Sequence, residues 1–332
     1  MVIEYIITRE CVNLDSYIIY LLARLVIGLF RVLPRFAGIA IIRFLATCMY
    51  CIDWRHRHIA HVNLSIAFPE LSCRERKRIA RASFQNTAMN LLEISRLPSL
   101  TPETIESLVQ YATPQDVTNF KAAQAKQKGI LYLTGHFSSW ELLPTAHALH
   151  GNPLSFITRP LDNAPLERYL LTVRESKGNR VINKRHSARE VLKTLNSNGS
   201  VGILMDQNTS LQEGMFVDFF GIPAATTTSV ALFALRTDAP VLPGYLAPMR
   251  RGRYTIKFLP PLDVVRTGDT GRDLEANTRR YNEVLERIIR DQPESWLWGH
   301  KRWKNQPAGN PPDLYRLSRR ELSDFLSRRR GQ

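Results

Sequence analysis

Short apolar runs alternate with amphipathic segments through the middle of the chain. Six mainly apolar runs of four to seven residues are typical of buried strands: 129–134, 153–158, 180–183, 200–205, 240–246 and 253–259. Amphipathic segments of helical length separate most of them, and the longest covers 273–290. Strands that alternate with helices of about 10–15 residues predict an α/β fold, with a mostly parallel central sheet and helices on both faces.

Two longer apolar stretches, 17–30 and 36–52, precede the alternating pattern. Arginines interrupt both, so each falls short of the roughly 20 uninterrupted apolar residues that a membrane-crossing helix needs. The pattern predicts two helices that lie in the membrane interface or insert shallowly. The arginines expected at the head groups are Arg24, Arg31, Arg35 and Arg43. The alternative is a buried helical subdomain with partly exposed arginines.

The start of the chain and its cysteines indicate a reducing compartment. Residues 1–10 contain Glu4 and Glu10 and no basic start, so no cleavable signal peptide is expected. All four cysteines lie in the first quarter of the chain, which is not the pattern of a disulfide framework. Cys48 and Cys51 stand near three histidines, but no second pair follows at zinc-finger spacing. We therefore expect no metal site.

Positive charge is concentrated in two segments. The 332 residues carry a formal net charge of +15, and the segments 54–81 and 299–332 hold 11 of these charges, as +5 and +6. Such a chain is not an acidic disordered one, and its partners are expected to be rich in negative charge. Nucleic acid, phospholipid head groups and an acidic carrier protein all fit. Two patches at the ends of a globular middle suit a membrane surface at least as well as a nucleic-acid groove.

The chain divides into three predicted parts. Residues 1–60 form a membrane-associating helical region, 61–306 the α/β domain and 307–332 a basic C-terminal tail. The division rests on the apolar stretches and on the turn-rich run at 307–312.

Chemically active side chains follow the predicted strands. Ligands of open α/β sheets bind at the carboxyl ends of the strands. His136 and Glu141 follow the first predicted strand, Arg159 follows the second, and Asp206 with Gln207 follows the fourth. A histidine, acids and cations at one edge predict general base chemistry on an anionic substrate. Motifs for a serine hydrolase elbow, a Walker A loop and a dinucleotide fold are absent from the sequence, so no nucleotide cofactor is expected.

The spacing of His136 and Glu141 allows two interpretations. A turn can fold the carboxylate back onto the imidazole, where it fixes the tautomer and stabilises the imidazolium. Alternatively, Ser138 and Glu141 form a capping box that only begins a helix. Asp206 and Gln207 are likewise open to a catalytic, a substrate-orienting or a capping role.

Aromatic residues mark two further segments. Residues 217–223, which include Phe220 and Gly221, predict a loop with exposed aromatic rings that either packs or lines an apolar channel. Near the C-terminus, Trp296, Trp298 and Trp303 stand among lysines and arginines. In a membrane enzyme such a cluster is expected at the head-group level.

Several motifs together resemble one family. The run 135–142 (GHFSSWEL) is similar to the HxxxxE/D signature of glycerolipid acyltransferases, and specifically to the late acyltransferases of lipid A biosynthesis, the lauroyl/myristoyl transferase family. Further similar pieces, in order, are 63–64, 67–70, 159–163, 205–207, 219–221 and 298–304. The chain departs from the family pattern at Ser138 and Ser139, where Gly-Asn is usual, and at Lys301, where Arg is usual.

The resemblance implies a membrane-associated O-acyltransferase on the cytoplasmic face of a bacterial inner membrane. It implies acyl-acyl carrier protein, or acyl-CoA, as donor and a hydroxyl of a lipid A precursor as acceptor, with no cofactor. His136 would be the general base, assisted by Glu141. The residues expected to bind substrate are Arg159, Asp206, Gln207, Phe220, Gly221 and Arg302. The alternatives are the same chemistry on a phosphatidylinositol mannoside or ornithine-lipid acceptor and, remotely, a basic nucleic-acid-binding protein.

Overall fold

A computed structural model of the chain describes residues 14–310 and 313–330. Glu4, Glu10 and Cys11, on which part of the compartment argument rests, lie outside the described residues. The helices are α1 Leu14–Val32, α2 Arg35–Ile52, α3 Trp54–Ala67, α4 Cys73–Arg96, α5 Pro102–Leu108, α6 Pro114–Gln124, α7 Leu142–Leu149, α8 Ala164–Glu175, α9 Ser187–Asn196, α10 Ser229–Thr237, α11 Thr270–Asp291 and α12 Arg319–Arg330. The strands are β1 Val109–Tyr111, β2 Ile130–Thr134, β3 Ser155–Thr158, β4 Arg180–Asn183, β5 Ser200–Leu204, β6 Gly214–Phe219, β7 Ile222–Thr227, β8 Val241–Pro248 and β9 Tyr254–Phe258.

A mostly parallel sheet forms the centre of the molecule. In the described residues it has seven strands in the order β1-β9-β8-β2-β5-β3-β4. The pairing is parallel throughout except between β8 and β9. All five residues of β2 are buried, as expected of a central strand covered on both faces. The two larger apolar clusters include residues of the sheet and of helices packed against it. The predicted α/β class is confirmed.

The six strands predicted from apolar runs are all present. The prediction for residues 217–223 is wrong, because they form the turn and adjoining ends of the antiparallel hairpin β6–β7 rather than a loop with exposed rings. Phe219 and Phe220 are buried, and Phe220 and Gly221 both have positive φ, at 52° and 73°. Positive φ at both central residues is the signature of a type I′ hairpin turn, whose twist suits the paired strands.

Helices α1 and α2 pack on α4 through one side only. Phe30, Ile42, Met89 and Leu92 form a small buried cluster between the three helices. Leu92 also lies against Gly38, where a Cβ would come within 2.8 Å of its Cδ1, so a glycine lets the helices approach closely. The N-terminal apolar stretches are therefore integral to the fold and held on a charged helix.

Arg35 corrects one detail of the predicted orientation. It is only partly exposed and turns inward, where its guanidinium makes two hydrogen bonds of 3.0 and 2.6 Å to the buried carboxylate of Glu93. A third bond of 2.7 Å runs to the carbonyl of Gly252. Arg24, Arg31 and Arg43 are exposed, and their contact with head groups stays a prediction.

The outward sides of α1 and α2 carry many exposed apolar side chains. They include Ile19, Leu22, Leu25, Leu29, Phe36, Phe44, Leu45, Met49 and Ile52, followed by Trp54. Within the described residues, α2 alone is long and apolar enough to cross a membrane, judged by length and composition only. Exposed apolar surface of this extent marks an interaction site.

Candidate active site

The loop that carries His136 leaves the carboxyl end of the central strand β2. β5 is the neighbour of β2, and Thr134 pairs with Leu204 in its register. The residues two positions beyond each strand, His136 and Asp206, consequently come side by side at the edge of the sheet. Gly135 permits this contact, since a Cβ there would lie 2.9 Å from Asp206 Cγ.

His136 and Asp206 form a hydrogen-bonded pair in which the carboxylate is buried and the imidazole is partly exposed. The Nδ1 atom of His136 lies 2.8 Å from Asp206 Oδ1, and the His136 backbone N–H donates to Oδ2 at 2.9 Å. The indole N–H of Trp296 donates to the same Oδ2 at 2.7 Å. Asp206 is 1% exposed. Burial by itself raises the pKa of such a carboxyl, but the charge and the hydrogen bonds of His136, with that of Trp296, lower the pKa of Asp206 well below its ordinary value.

The surroundings of His136 leave its Nε2 atom as the basic one. An ionised Asp206 accepts the proton on Nδ1, so the lone pair lies on Nε2. The amide nitrogen of Gln207 lies 3.3 Å from Nε2, as a donor to that lone pair would. The side chain of His136 is 20% exposed, and the ring of Trp140 lies edge-on to it at 5.0 Å between centroids. The imidazole therefore presents an accessible proton acceptor at the sheet edge.

Glu141 lies on the same loop but has a different partner from the one expected. Its carboxylate accepts two hydrogen bonds from the guanidinium of Arg174 in α8, at 3.0 and 2.6 Å. The contact predicted between Glu141 and His136 is thus replaced by Glu141–Arg174 and His136–Asp206, because an arginine fork matches a carboxylate bidentately. The capping box is not formed either, since α7 begins at Leu142 and the Glu141 side chain makes no cap bond.

Helix α4 holds the loop from behind. Asn90 donates to the carbonyl of Ser138 at 2.8 Å and accepts from the N–H of Glu141 at 3.1 Å. Ser138 has a positive φ of 49°, and its N–H donates to the carbonyl of Ser295 at 2.6 Å. A non-glycine residue in this region is strained unless its neighbours fix it, and here both sides of the peptide are fixed.

The other predicted substrate-binding residues divide into an exposed and a buried group. Arg159 follows β3 and is exposed at the same edge of the sheet. Phe220 and Gly221 lie at the tip of the β6–β7 hairpin. The ring of Phe220 packs on the ring of Phe68, and the guanidinium carbon of Arg290 lies 4.7 Å from the Phe220 ring centroid. They line a small separate pocket of about 370 Å³, which does not include His136.

Arg302 is fully buried and cannot contact a substrate from its position. Its guanidinium donates to the carbonyl of Ala225 at 2.8 Å and to the hydroxyl of Thr226 at 2.6 Å. Burial lowers the pKa of Arg302 to about 10, against the opposing charge of Asp206. The prediction of a direct substrate contact is wrong for this residue, because it fastens the β6–β7 hairpin instead.

The tryptophans are buried rather than placed at head groups. Trp296, Trp298 and Trp303 are at most 1% exposed, and each indole N–H has a partner within the protein. A buried indole needs such a partner, and Trp296 finds it in the carboxylate that holds His136. Sequence reasoning missed Trp296, Asn90 and Arg174 as parts of the site, since only the folded chain brings them to the loop.

A second histidine, His300, lies close to the pair. Its Nε2 accepts the backbone N–H of Asn208 at 3.1 Å, which requires a neutral ring. Burial lowers the pKa of His300 to about 4, opposed by the charge of Asp206. His300 therefore stays neutral near pH 7 and fixes the loop that follows Asp206.

Fold and site together define an α/β enzyme whose accessible imidazole is oriented by a buried carboxylate at the carboxyl edge of a parallel sheet. Comparison with known sequences gives the particular family. Residues 8–305 match the bacterial lipid A biosynthesis acyltransferases, and the chain belongs to that family. It is accordingly an O-acyltransferase.

Individual relatives are distant in sequence but match over most of their length. The chain is 28% identical over 261 residues to a lipid A biosynthesis lauroyltransferase of Escherichia coli (strain K12), covering 77% of this chain and 82% of the relative. It is 26% identical over 266 residues to a lipid A biosynthesis acyltransferase of Haemophilus influenzae (strain ATCC 51907 / DSM 11121 / KW20 / Rd), covering 79% and 81%. A palmitoleoyltransferase of Escherichia coli (strain K12) is 25% identical over 259 residues, covering 77% and 81%. The two Escherichia coli relatives are named for different acyl chains, lauroyl and palmitoleoyl.

Proposed function

We propose that this protein transfers a fatty acyl chain from a thioester carrier to a hydroxyl of a lipid A precursor, with His136 as general base. The observation that carries the proposal is the His136–Asp206 pair at the sheet edge of a chain from this family. The relatives named above support lipid A as the acceptor class, and the exposed apolar helices support a lipid substrate.

The reaction proceeds by direct transfer in two stages. The Nε2 atom of His136 takes the proton of the acceptor hydroxyl, displacing the amide of Gln207, and the oxygen forms a bond to the thioester carbonyl carbon. The carbon–sulfur bond then breaks, and the leaving thiolate takes the proton back from Nε2. Asp206 stabilises the imidazolium between the stages. General base catalysis of this kind contributes roughly 10²- to 10⁴-fold.

Glu141 acts through the position of the loop. Its ion pair with Arg174 ties the loop to α8, while Asn90 ties it to α4. Arg159, exposed at the same edge, is the proposed contact to a phosphate or to the developing oxyanion, for which its planar fork is suited.

The donor is proposed to be an acyl-acyl carrier protein. The two basic segments of the sequence meet in space, where Nε2 of His58 donates to the carbonyl of Tyr315 at 2.9 Å. Near this contact, Arg57, Arg76 and Lys77 of the first segment and Arg319 of the second place positive charge around His61. Burial and these cations together lower the pKa of His61 to about 4. Such a concentration of positive charge favours association with an acidic partner and accelerates its encounter.

Location on the cytoplasmic side of the inner membrane is part of the same proposal, and the exposed apolar surface of helices α1 and α2 supports association with a membrane. Helix α2 packs on α4 and buries Gly38, Ile42 and Ala46, and the charges of α4 lie at its two ends, in 74–81 and 93–96. A helix held in this way is better suited to lie in the membrane interface than to cross the bilayer.

Mass spectrometry of total lipids tests the function. Cells with the active protein should contain a lipid A species heavier by one acyl chain than cells with the His136→Ala variant. A mass difference confined to another lipid class, such as a mannoside or an ornithine lipid, would replace the proposed acceptor. In a purified assay, near-normal transfer by His136→Ala would refute the assignment of the base.

A further inference from the structure

An open cleft lies between the N-terminal helix α1 and helix α8, apart from the His136–Asp206 pair. Its volume is about 850 Å³, and neither His136 nor Asp206 lines it. The polar and aromatic part of its lining consists of Tyr17, Tyr20 and Arg24 from α1 with Arg168 and Tyr169 from α8. The side-chain amide of Asn163 donates to the carbonyl of Ser16 at 2.7 Å, which joins the two helices at one end.

Arg24 is oriented by aromatic groups rather than by an acid. Its guanidinium carbon lies 4.4 Å from the ring centroid of Tyr169, and Nη1 donates to the Tyr20 hydroxyl at 2.9 Å. Within the described part of the chain, no carboxylate forms an ion pair with Arg24 or with Arg168. Both arginines are exposed. Two guanidinium groups thus line one cleft with most of their donors available, an arrangement that attracts a phosphate.

The rest of the surroundings are suited to acyl chains. Ile18, Leu22 and Leu25 are exposed on α1, next in sequence to or close to the residues that line the cleft. Tyrosines with an apolar body and a polar tip are typical of the boundary between hydrocarbon and head groups. A ligand with a phosphate at one end and apolar chains at the other would satisfy both parts of this surface.

We propose that the α1–α8 cleft binds the phosphate-bearing head group of a membrane lipid, with Arg24 and Arg168 on the phosphate and the acyl chains along α1. The lipid is either the acceptor itself or a bilayer phospholipid. In the first case the proposal rests on the proposed function, and in the second it does not. Helix α8 also carries Arg174, the partner of Glu141, so a lipid in this cleft is held by the same helix that positions the loop of His136.

Binding is tested on the full chain with the His136→Ala substitution, which keeps the test independent of catalysis. Native mass spectrometry compares adducts of dioleoyl phosphatidic acid with adducts of dioleoylglycerol, which has the same chains and no phosphate. We expect a preference for phosphatidic acid of at least about ten-fold, the effect of one good charge-assisted contact. Equal binding of the two lipids would overturn the proposal.

Two pairs of substitutions locate the effect. Arg24→Gln with Arg168→Gln should abolish the preference. The control, Arg43→Gln with Arg55→Gln, removes two exposed arginines from the same region outside the cleft and should retain it. Arg24→Lys with Arg168→Lys keeps the charges and should retain part of the preference. A loss equal to that of the glutamine pair would indicate lost packing on Tyr169 and would overturn the proposal.

Steady-state kinetics in mixed micelles separates the two sources of the phosphate. If the acceptor occupies the cleft, the glutamine pair raises the KM for the acceptor while kcat stays near the wild-type value. If a phospholipid occupies it, the KM is unchanged but activation by phosphatidylglycerol is lost. Absence of both effects, with a wild-type enzyme that transfers acyl chains normally, would overturn the inference without affecting the proposed function.

Discussion

Substitution of Asp206 by asparagine tests the role of the buried carboxylate most directly. In the protein, Asp206 accepts hydrogen bonds from the His136 ring, the His136 backbone and the Trp296 indole. An asparagine of the same shape offers one acceptor oxygen and one NH2 group. If the amide oxygen takes the place of Oδ2, it still accepts the hydrogen bonds from the His136 backbone and the Trp296 indole. The NH2 group then faces Nδ1 of His136 and donates to its lone pair. The ring proton is consequently on Nε2, which cannot act as a base.

Two effects of different size are expected. The wrong tautomer and the lost charge should lower kcat by roughly 10²- to 10⁴-fold, the range of general base catalysis, with little change in KM. If the amide rotates instead, buried donors of His136 or Trp296 are left without an acceptor, at a cost of about 1–3 kcal/mol in the free energy of unfolding.

A matched control separates catalysis from stability. Asp116 is also buried and accepts the backbone N–H of Phe258 at 2.7 Å, on another part of the sheet. Asp116→Asn should lower the melting temperature and leave kcat near the wild-type value. Acyl transfer and thermal unfolding are measured for both variants. If Asp206→Asn keeps kcat within about three-fold while losing stability as Asp116→Asn does, Asp206 has only a structural role and the reasoning is refuted.

Three further perturbations follow from the structure. Glu141→Gln and Arg174→Gln should each reduce acyl transfer. Because the two side chains act as one unit, the double variant should be no less active than the less active single variant. Additive losses would contradict this expectation. Burial lowers the pKa of His147 to about 3. The stability that this neutral histidine contributes is therefore complete above its unfolded pKa near 6.5 and is lost progressively as the pH falls below that value. The loss in the free energy of unfolding is about 2 kcal/mol at pH 5. Urea unfolding at pH 7 and pH 5 should therefore differ less in His147→Gln than in the wild type, and equal differences would disprove the assignment. Leu25→Glu should reduce flotation with anionic vesicles without lowering the melting temperature. Leu211→Glu, at an exposed site on the α/β part, should float as the wild type does. Equal flotation of the two variants would argue against α1 and α2 as the membrane contact.

Strands buried on both faces could be predicted from the sequence, because burial makes such a run apolar. The strands of a local hairpin were harder to predict. The runs that became β2, β5 and β8 are central and buried on both faces, so their composition alone indicates them. The hairpin β6–β7 was missed because Asp218 interrupts its first strand and because its turn is Phe-Gly rather than the usual Asn-Gly.

The partner of His136 depended on information that the sequence does not contain. Spacing along the chain favoured Glu141, which is five residues away. The actual partner is 70 residues away and comes into reach only because β5 lies next to β2 in the stated register. The position of the buried tryptophans was predicted wrongly for the same reason. A tryptophan beside cations gives the same sequence pattern whether its indole N–H faces solvent or a buried carboxylate.

Helix α4 connects the exposed apolar surface of α1 and α2 with the loop that carries His136. On one side it receives Arg35 from α2 through the buried carboxylate of Glu93, and that carboxylate also accepts the hydroxyl of Tyr254 at 2.8 Å. The Tyr254 hydroxyl lies 2.9 Å from the hydroxyl of Ser139, in the loop that carries His136. An uninterrupted series of hydrogen bonds therefore links the start of α2 to the loop that carries His136. Because charge-assisted bonds to a buried carboxylate resist displacement, the fold sets the distance between the apolar surface of α1 and α2 and the imidazole.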